Sequence, residues 1–266
     1  MKRTVLFLMI VGLTTTIAFS QKKESRSVSD FTGIEASSVF DITVIKGSTD
    51  SLVLEANSDV LEHICSEVQN GVLHLYFDDG KKFRNIKSLK ALIVMKDLEM
   101  VTLLGACKFT NEDLFTPDKF KCVCSGASSM VLNVNTDQLS IETSGACNIQ
   151  IKANVTGNTD LNVSGASKIR GELIANNVTF NSSGVCSVEL TGSATDIKMD
   201  VSGASKIMAE DFIVKTATIK SSGVSKVKVN VSDDLNVNTS GPSSVNYIGS
   251  PSLEINNSKI SRVKKI

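Results

Sequence analysis

The chain has 266 residues, and its 28 lysines and arginines balance its 28 aspartates and glutamates. Because no basic excess exists, nucleic acid and anionic membranes are poor candidates for partners. The chain has no tryptophan and only two tyrosines, which disfavours binding of sugars by aromatic stacking.

Residues 1–20 have the pattern of a secretory signal peptide. Lys2 and Arg3 precede an apolar run over residues 5–13, and the small residues of Ala18-Phe19-Ser20 suit cleavage before Gln21. The apolar run is short for a membrane span, so an anchored segment is the less favoured alternative. We therefore expect an exported protein, periplasmic or at the cell surface or outside the cell, with no integral membrane segment after cleavage.

Residues 28–100 show apolar alternation without a clear repeat. Two stretches alternate apolar and polar residues, and Asn70-Gly71 supplies a turn before the second. Their apolar members are Phe40, Ile42, Val44, Leu52 and Leu54, then Leu73, Leu75 and Phe77. Residues 79–88 read as a charged loop. We predict that residues 28–100 form a β cap, continuous with the solenoid, that protects one end of the fold from aggregation.

A Ser-Gly-Ala-Ser phrase, or a close variant, recurs every 18 to 21 residues across residues 101–249. A fixed period of this size indicates stacked units that cannot each bury their own apolar face. The repeat glycines are Gly105, Gly126, Gly145, Gly165, Gly184, Gly203, Gly223 and Gly241.

Apolar residues occupy the positions four before and four after each repeat glycine, and mostly the position six after it. These offsets share one parity, so they lie on one face of an extended chain. The sequence predicts an all-β fold, a right-handed parallel β-helix of about eight repeats of ~20 residues.

Alternate repeats carry cysteine two residues after the glycine, at Cys107, Cys147 and Cys186, with serine between them. A full coil could therefore span one repeat or two. We favour one repeat per coil, because loops in a compact solenoid are normally short. On that spacing Cys107 and Cys147 lie two coils apart, about 9.6 Å, so buried free thiols are favoured over disulfides.

Residues 250–266 form a short basic end to the chain. Its cations are Lys259, Arg262, Lys264 and Lys265. We expect a solvated cap or tail on the last coil, with an interaction tail as the alternative.

The chain resembles the head GIN domain family of auto-transporter adhesins, found in Bacteroidetes-type bacteria. The likeness rests on Phe31-Thr32-Gly33-Ile34, Val39-Phe40-Asp41-Ile42 and Asn70-Gly71-Val72-Leu73, together with the repeated Ser-Gly-Ala/Val-Ser/Cys phrase. It covers roughly residues 28–250. The resemblance implies a secreted or periplasmic β-helix, and it carries no catalytic residues.

We predict no catalytic residue, no metal site and no cofactor. The two histidines, His63 and His74, lack a partner at a recognisable catalytic or metal-ligand spacing. Glu142, Asp200 and Lys220 share the outer face but stand among Asn and Thr, which favours a solvated surface over a clustered active site.

One outward strip stands out, formed by the residues directly after the repeat glycines: Ala106, Ala127, Ala146, Ala166, Val185, Ala204, Val224 and Pro242. Serines precede the glycines, and lysines stand three positions after some of them. The candidate binding residues are Ser164, Ala166, Lys168, Ser202, Ala204, Lys206, Ser222, Val224 and Lys226. Small residues also simply suit a tight bend at glycine, and that explanation is favoured over a contact face.

The sequence thus predicts a non-catalytic envelope protein, a binding or adhesion-type domain. The partner is an unknown envelope or extracellular molecule, and self-association is possible. The alternatives are a polysaccharide-active β-helix enzyme, meaning a lyase or hydrolase, and a structural periplasmic protein.

Overall fold

The computed structural model describes residues 21–78, 86 and 88–266. The predicted signal peptide and most of the predicted charged loop at 79–88 lie outside the described residues. The elements in chain order are β1 (Lys22–Arg26), β2 (Gly33–Ser38), β3 (Asp41–Lys46), β4 (Ser51–Ala56), α1 (Ser58–Leu61), β5 (Ile64–Gln69), β6 (Val72–Phe77), β7 (Lys90–Met95), β8 (Met100–Gly105), β9 (Lys108–Asn111), β10 (Lys119–Gly126), β11 (Ser129–Gly145), β12 (Asn148–Val163), β13 (Lys168–Ser182), β14 (Ser187–Val201), β15 (Lys206–Ser221), β16 (Lys226–Thr239), β17 (Ser244–Ile248), β18 (Ser252–Asn257) and β19 (Arg262–Lys265).

Strands β11 to β16 stack in parallel with one repeat per coil, as the sequence predicts. Ile149 of β12 is in register with Ile169 of β13, which is in register with Val188 of β14. Those partners are one repeat apart along the chain. The fold is therefore a β-solenoid of about nine turns, and the two-repeat coil is wrong.

The strands form one continuous sheet that folds around the solenoid, and each long strand contributes to two of its faces, each of which is called a sheet below. The segment before a repeat glycine pairs in one sheet, here the pre-glycine sheet, as residues 138–145 of β11 do with β10. The segment after the glycine pairs in the other, here the post-glycine sheet, as residues 129–131 do with β9. The inward columns four before and four after the glycines are buried throughout, for example Leu161 and Ile169. The parity deduced from the sequence is confirmed.

At the corner between the sheets, each repeat glycine stacks against the repeat glycine of the coil before it. The backbone of Gly165 has φ of +78°, a left-handed conformation that favours glycine. A Cβ atom at Gly165 would also lie only 2.4 Å from the carbonyl oxygen of Gly145 in the coil before it. The repeat therefore keeps glycine for two reasons, backbone conformation and the close approach of successive coils.

The N-terminal region combines parallel and antiparallel strands. Strands β2 and β3 run parallel to β8 and β9. In contrast, β1, β4 and β5 pair antiparallel with their neighbours. Asn70 and Gly71, both with positive φ, make the tight β5–β6 turn. Above the first coil these strands bury Leu52, Leu54 and Leu73.

The last coil consists of β17, β18 and β19. Strand β18 pairs with β16, and β19 pairs with β17, so residues 250–266 continue the stacking of the repeats. Among the residues that the structure describes, no helix has the length and apolar character needed to span a membrane.

Candidate binding surface at the glycine corner

The predicted outward strip lies on the surface of the solenoid along the glycine corner. Ala166, Ala204 and Val224 are exposed, and 66% of Val224 is open to solvent. The three lysines of the candidate set, Lys168, Lys206 and Lys226, are also exposed, whereas Ser164, Ser202 and Ser222 are half-buried. The structure therefore places all nine candidate residues along one corner, with methyl groups between serines and lysines.

Backbone hydrogen bonds between coils connect successive residues of the strip. The N–H of Ala204 donates to the carbonyl of Gly184 at 2.8 Å, and the N–H of Val224 donates to that of Gly203 at 2.8 Å. Because these N–H groups are already bonded, the strip presents side chains and not free backbone donors.

Serine hydroxyls on the outer and the inner side of the corner donate hydrogen bonds to backbone carbonyls. Ser202 Oγ donates to the carbonyl of Ser182 at 3.0 Å, one coil earlier. The inward Ser205 Oγ donates to the carbonyl of Ser202 at 3.1 Å, within its own coil. Cys186 takes the same place in its coil and lies 3.3 Å from the carbonyl of Ser183. Serine and cysteine can therefore both occupy this position, because each is a small side chain that can donate to this carbonyl.

The lysines beside the strip form an uncompensated positive row. Lys206 and Lys226 are direct neighbours on adjacent strands, where like charges repel. These lysines lie in the post-glycine sheet. Within the described residues, the ion pairs of that sheet are formed by other cations, among them Lys152, Arg170 and Lys228. Lys168, Lys206 and Lys226 are in none of them, so their ammonium groups stay available to a partner.

On the other side of the strip, the pre-glycine sheet carries a shallow polar groove with a volume of 670 Å³. Its wall is the column three residues before the glycines: Glu142, Asn162, Asn181 and Asp200. Asn181 Nδ2 donates to Asn162 Oδ1 at 2.9 Å, so the amides bond along the stack. The sequence predicts this polar column as a solvated face. It does not predict that the face is concave, because concavity depends on sheet curvature.

The two carboxylates of the groove, Glu142 and Asp200, lie far apart. Glu142 and Asp200 are three coils apart, about 14 Å at the usual strand spacing of ~4.8 Å. Glu142 is also paired with Lys121 Nζ at 3.1 Å. Paired carboxylates of a glycosidase stand about 5–9.5 Å apart, so this arrangement does not match one.

The described residues contain no group of three or more His, Cys, Asp or Glu side chains that could hold a metal ion. His74 lies 3.3 Å from a carboxylate oxygen of Glu35. Nearby, Tyr76 donates to Glu67, and this hydrogen bond raises the pKa of Tyr76 to about 12 and lowers the pKa of Glu67. Tyr76 therefore keeps its proton at neutral pH.

The five cysteines placed on the inward parity are buried and unbridged. They are Cys107, Cys122, Cys124, Cys147 and Cys186. Burial raises the pKa of Cys122 and of Cys107 above that of a free thiol. These two thiols are therefore poor nucleophiles at neutral pH.

Comparison with known proteins supports the same fold. The sequence model of the family described as "Putative auto-transporter adhesin, head GIN domain" matches residues 30–184 and, again, 141–251. No curated protein sequence matches the chain.

Solved structures extend the likeness over nearly the whole chain. A "putative adhesin" from Parabacteroides distasonis aligns with 94% of this chain and 98% of its own, at 18% identity and a TM-score of 0.72. One from Parabacteroides merdae aligns with 92% and 96%, at 16% identity and a TM-score of 0.71. A "Putative lipid binding protein" from Parabacteroides distasonis aligns with 92% and 96%, at 18% identity and a TM-score of 0.57. At these identities the structures support the fold alone.

Proposed function

The chain belongs to the head GIN domain family of auto-transporter adhesins, and on that premise we propose that it is an exported, non-catalytic binding domain of adhesion type. One observation carries the proposal. The strip at the glycine corner is exposed, continuous across the coils and flanked by the unpaired Lys168, Lys206 and Lys226. A partner with a flat surface could cover it without displacing any hydrogen bond of the solenoid.

We place the contact on three rows of side chains along the corner. The half-buried serines border the groove, the alanines and valines form the flat centre, and the lysines form the far rim. Ser164, Ala166 and Lys168 are one such set, and Ser202, Ala204 and Lys206 are another. The partner is an envelope or extracellular molecule, or a second copy of this chain.

The enzyme alternative finds less support. A polysaccharide lyase or hydrolase needs reacting groups that converge on one sugar. The groove instead separates its two carboxylates by three coils and fills the interval with Asn162 and Asn181, which are bonded to each other. A structural periplasmic role has no specific observation in its favour.

Charge placed in the strip tests the proposal. Ala204→Glu adds a carboxylate at an exposed position, so the solenoid should tolerate it within about 0.5 kcal/mol. At an interface the same carboxylate would be buried without a partner, which costs several kcal/mol. We expect pull-down from envelope extract of the producing bacterium, or self-association measured by sedimentation, to be lost while the melting temperature stays unchanged.

Thr218→Glu is the matched control. Thr218 is exposed on β15 in the pre-glycine sheet, away from the strip, and the substitution adds the same charge. Binding that survives in both variants would show that the strip is only a bend lined with small residues. Unfolding of Ala204→Glu alone would show that the position is not free surface.

A further inference from the structure

The C-terminal end of the solenoid exposes an uncovered apolar core. All six residues of β18 are exposed, although Leu253 and Ile255 continue inward columns whose previous members, Leu235 and Val237, are buried. Leu253 is 46% exposed, and Ile260 in the next turn is 68% exposed. Leu253 and Ile255 are alternate residues on one face of β18, and exposed apolar side chains grouped in this way are typical of an interaction site.

The same end leaves two strand edges open. Strand β18 pairs only with β16, and β19 pairs only with β17, so one side of each backbone has no strand beside it in the described chain. Open edges of this kind are templates for another strand. A lipid surface could cover the side chains but could not supply the missing ladder of backbone donors and acceptors. The edge therefore favours an extended polypeptide as its occupant.

Charge specifies that polypeptide further. Residues 250–266 carry the cations Lys259, Arg262, Lys264 and Lys265 against the single anion Glu254. Glu254 already accepts a hydrogen bond from Asn236 Nδ2 at 2.6 Å. Arg262 and Lys264 point outward on β19, with Val263 between them on the inward parity of Val245 and Val227.

A second copy of this chain does not fit. Two C-terminal ends facing each other would place the basic β19 beside the basic β19 of the other copy. Such a contact opposes like charges, which costs several kcal/mol in an interface. Head-to-tail stacking would place β19 near β1, which ends the same post-glycine sheet. The carboxylate of β1, Glu24, is already paired with Arg26, and Glu55 of the neighbouring β4 is paired with Lys23, so neither is free to pair with Arg262 or Lys264.

We propose that the C-terminal edge, defined as β18, Ile260 and β19, binds an acidic extended segment of a partner protein by strand addition. The segment pairs with the free side of β19 and alternates apolar and acidic side chains. Its acidic side chains meet Arg262 and Lys264 on the outer face. Its apolar side chains turn inward over Val263 and cover Leu253 and Ile255.

Two synthetic octapeptides test this on the exported chain, one alternating Val with Glu and one alternating Val with Lys. We expect the acidic peptide to bind saturably at low salt, about tenfold more tightly than the basic one. Hydrogen exchange should slow at residues 262–265 when it binds. In the double variant Arg262→Glu/Lys264→Glu the preference should reverse.

The double variant Lys198→Glu/Lys220→Glu is the control, because it makes the same charge change at exposed residues of β14 and β15, inside the stack and away from both the strip and the C-terminal edge. It should keep the preference for the acidic peptide. Equal binding of both peptides, protection elsewhere in the chain, or a preference unchanged by Arg262→Glu/Lys264→Glu would overturn the proposal. Displacement of the acidic peptide by vesicles of anionic phospholipid, or by self-association of the chain, would also overturn it by assigning the edge to another occupant.

Discussion

A repeat glycine has two separable reasons to be glycine, and one pair of substitutions distinguishes them. Gly165 and Gly71 have nearly the same φ, +78° and +76°. A Cβ at Gly165 would collide with the Gly145 carbonyl, whereas a Cβ at Gly71 would meet nothing within 4 Å. We expect Gly71→Ala to cost about 1–2 kcal/mol of unfolding free energy for the left-handed backbone alone.

Gly165→Ala should cost about 1–3 kcal/mol more than that, because two coils must also move apart. Urea titration of both variants measures the difference directly. If the two losses are equal, the close approach of successive coils contributes nothing, and backbone conformation alone explains the repeat.

The inward and outward parity makes a second residue-scale prediction. Ile169 is buried in the stacked core, and its neighbour Lys168 is exposed. Ile169→Ala should lower the free energy of unfolding by about 2–5 kcal/mol, as a large-to-small change in a core. Lys168→Ala should change it by less than about 0.5 kcal/mol. Similar losses in a denaturant titration would contradict the parity.

The burial of these residues could be predicted from the sequence because a strand has a strict period of two. Once Gly165 fixes the origin, the parity assigns Leu161 and Ile169 to the core without further information. The groove at Asn162 and Asn181 could not be predicted in this way. Its depth depends on how each sheet curves between the corners, and periodicity alone carries no curvature.

At the scale of the strand, the thiols link stability to pH. Cys122 lies in β10, and burial raises its pKa above the value of about 8.5 that it has in the unfolded chain. Below pH 8.5 the thiol is protonated in both states and stability does not depend on it. Above that pH the unfolded chain loses the proton first, so the free energy of unfolding should fall as the pH rises.

For one thiol the expected slope is about 1.4 kcal/mol per pH unit until the folded pKa is reached. Cys122→Ala removes that contribution, so its stability should fall less steeply above pH 9 than that of the parent chain, by about this amount. Urea unfolding at several pH values between 8 and 10, under reducing conditions, measures both slopes. Parallel slopes would show that Cys122 is not shielded from solvent in the native state.

For the strands of the last coil, the sequence predicts the charge of the residues but not their pairing. The basic character of Arg262 and Lys264 is plain in the sequence, which suggested a solvated cap or tail. The pairing of β19 with β17 depends on chain stacking, and it makes Val263 a further rung of the inward column of Val245. A column that short, with one apolar residue between cations, has too little periodicity to be recognised without the coils beneath it.

At the scale of the whole molecule, the two ends of the solenoid differ. The N-terminal end is finished by antiparallel strands that bury Leu52 and Leu54, whereas the C-terminal end leaves Leu253 and Ile255 exposed. Strands β1 and β5 at the N-terminal end also pair on one side only, so among the described residues the two ends differ in their exposed apolar side chains and not in the presence of open backbone edges. This asymmetry separates the strip, a lateral surface, from the C-terminal edge, an axial one, and the two can be tested independently.

The predicted processing site is consistent with the finished N-terminal end. Cleavage between Ser20 and Gln21 would leave β1 intact from Lys22, and Lys22 is in register with Ala56 at the end of β4. Cleavage after Arg26 instead would remove β1 and open the edge of β4 beside the buried Leu52 and Leu54. We therefore expect N-terminal sequencing of the exported protein to begin at Gln21. Exported material that begins at Met1 would contradict the signal peptide.

A chain started at residue 27 should be less stable and more prone to aggregate than one started at Gln21. Equal stability of the two shortened chains would show that β1 does not finish this end of the fold.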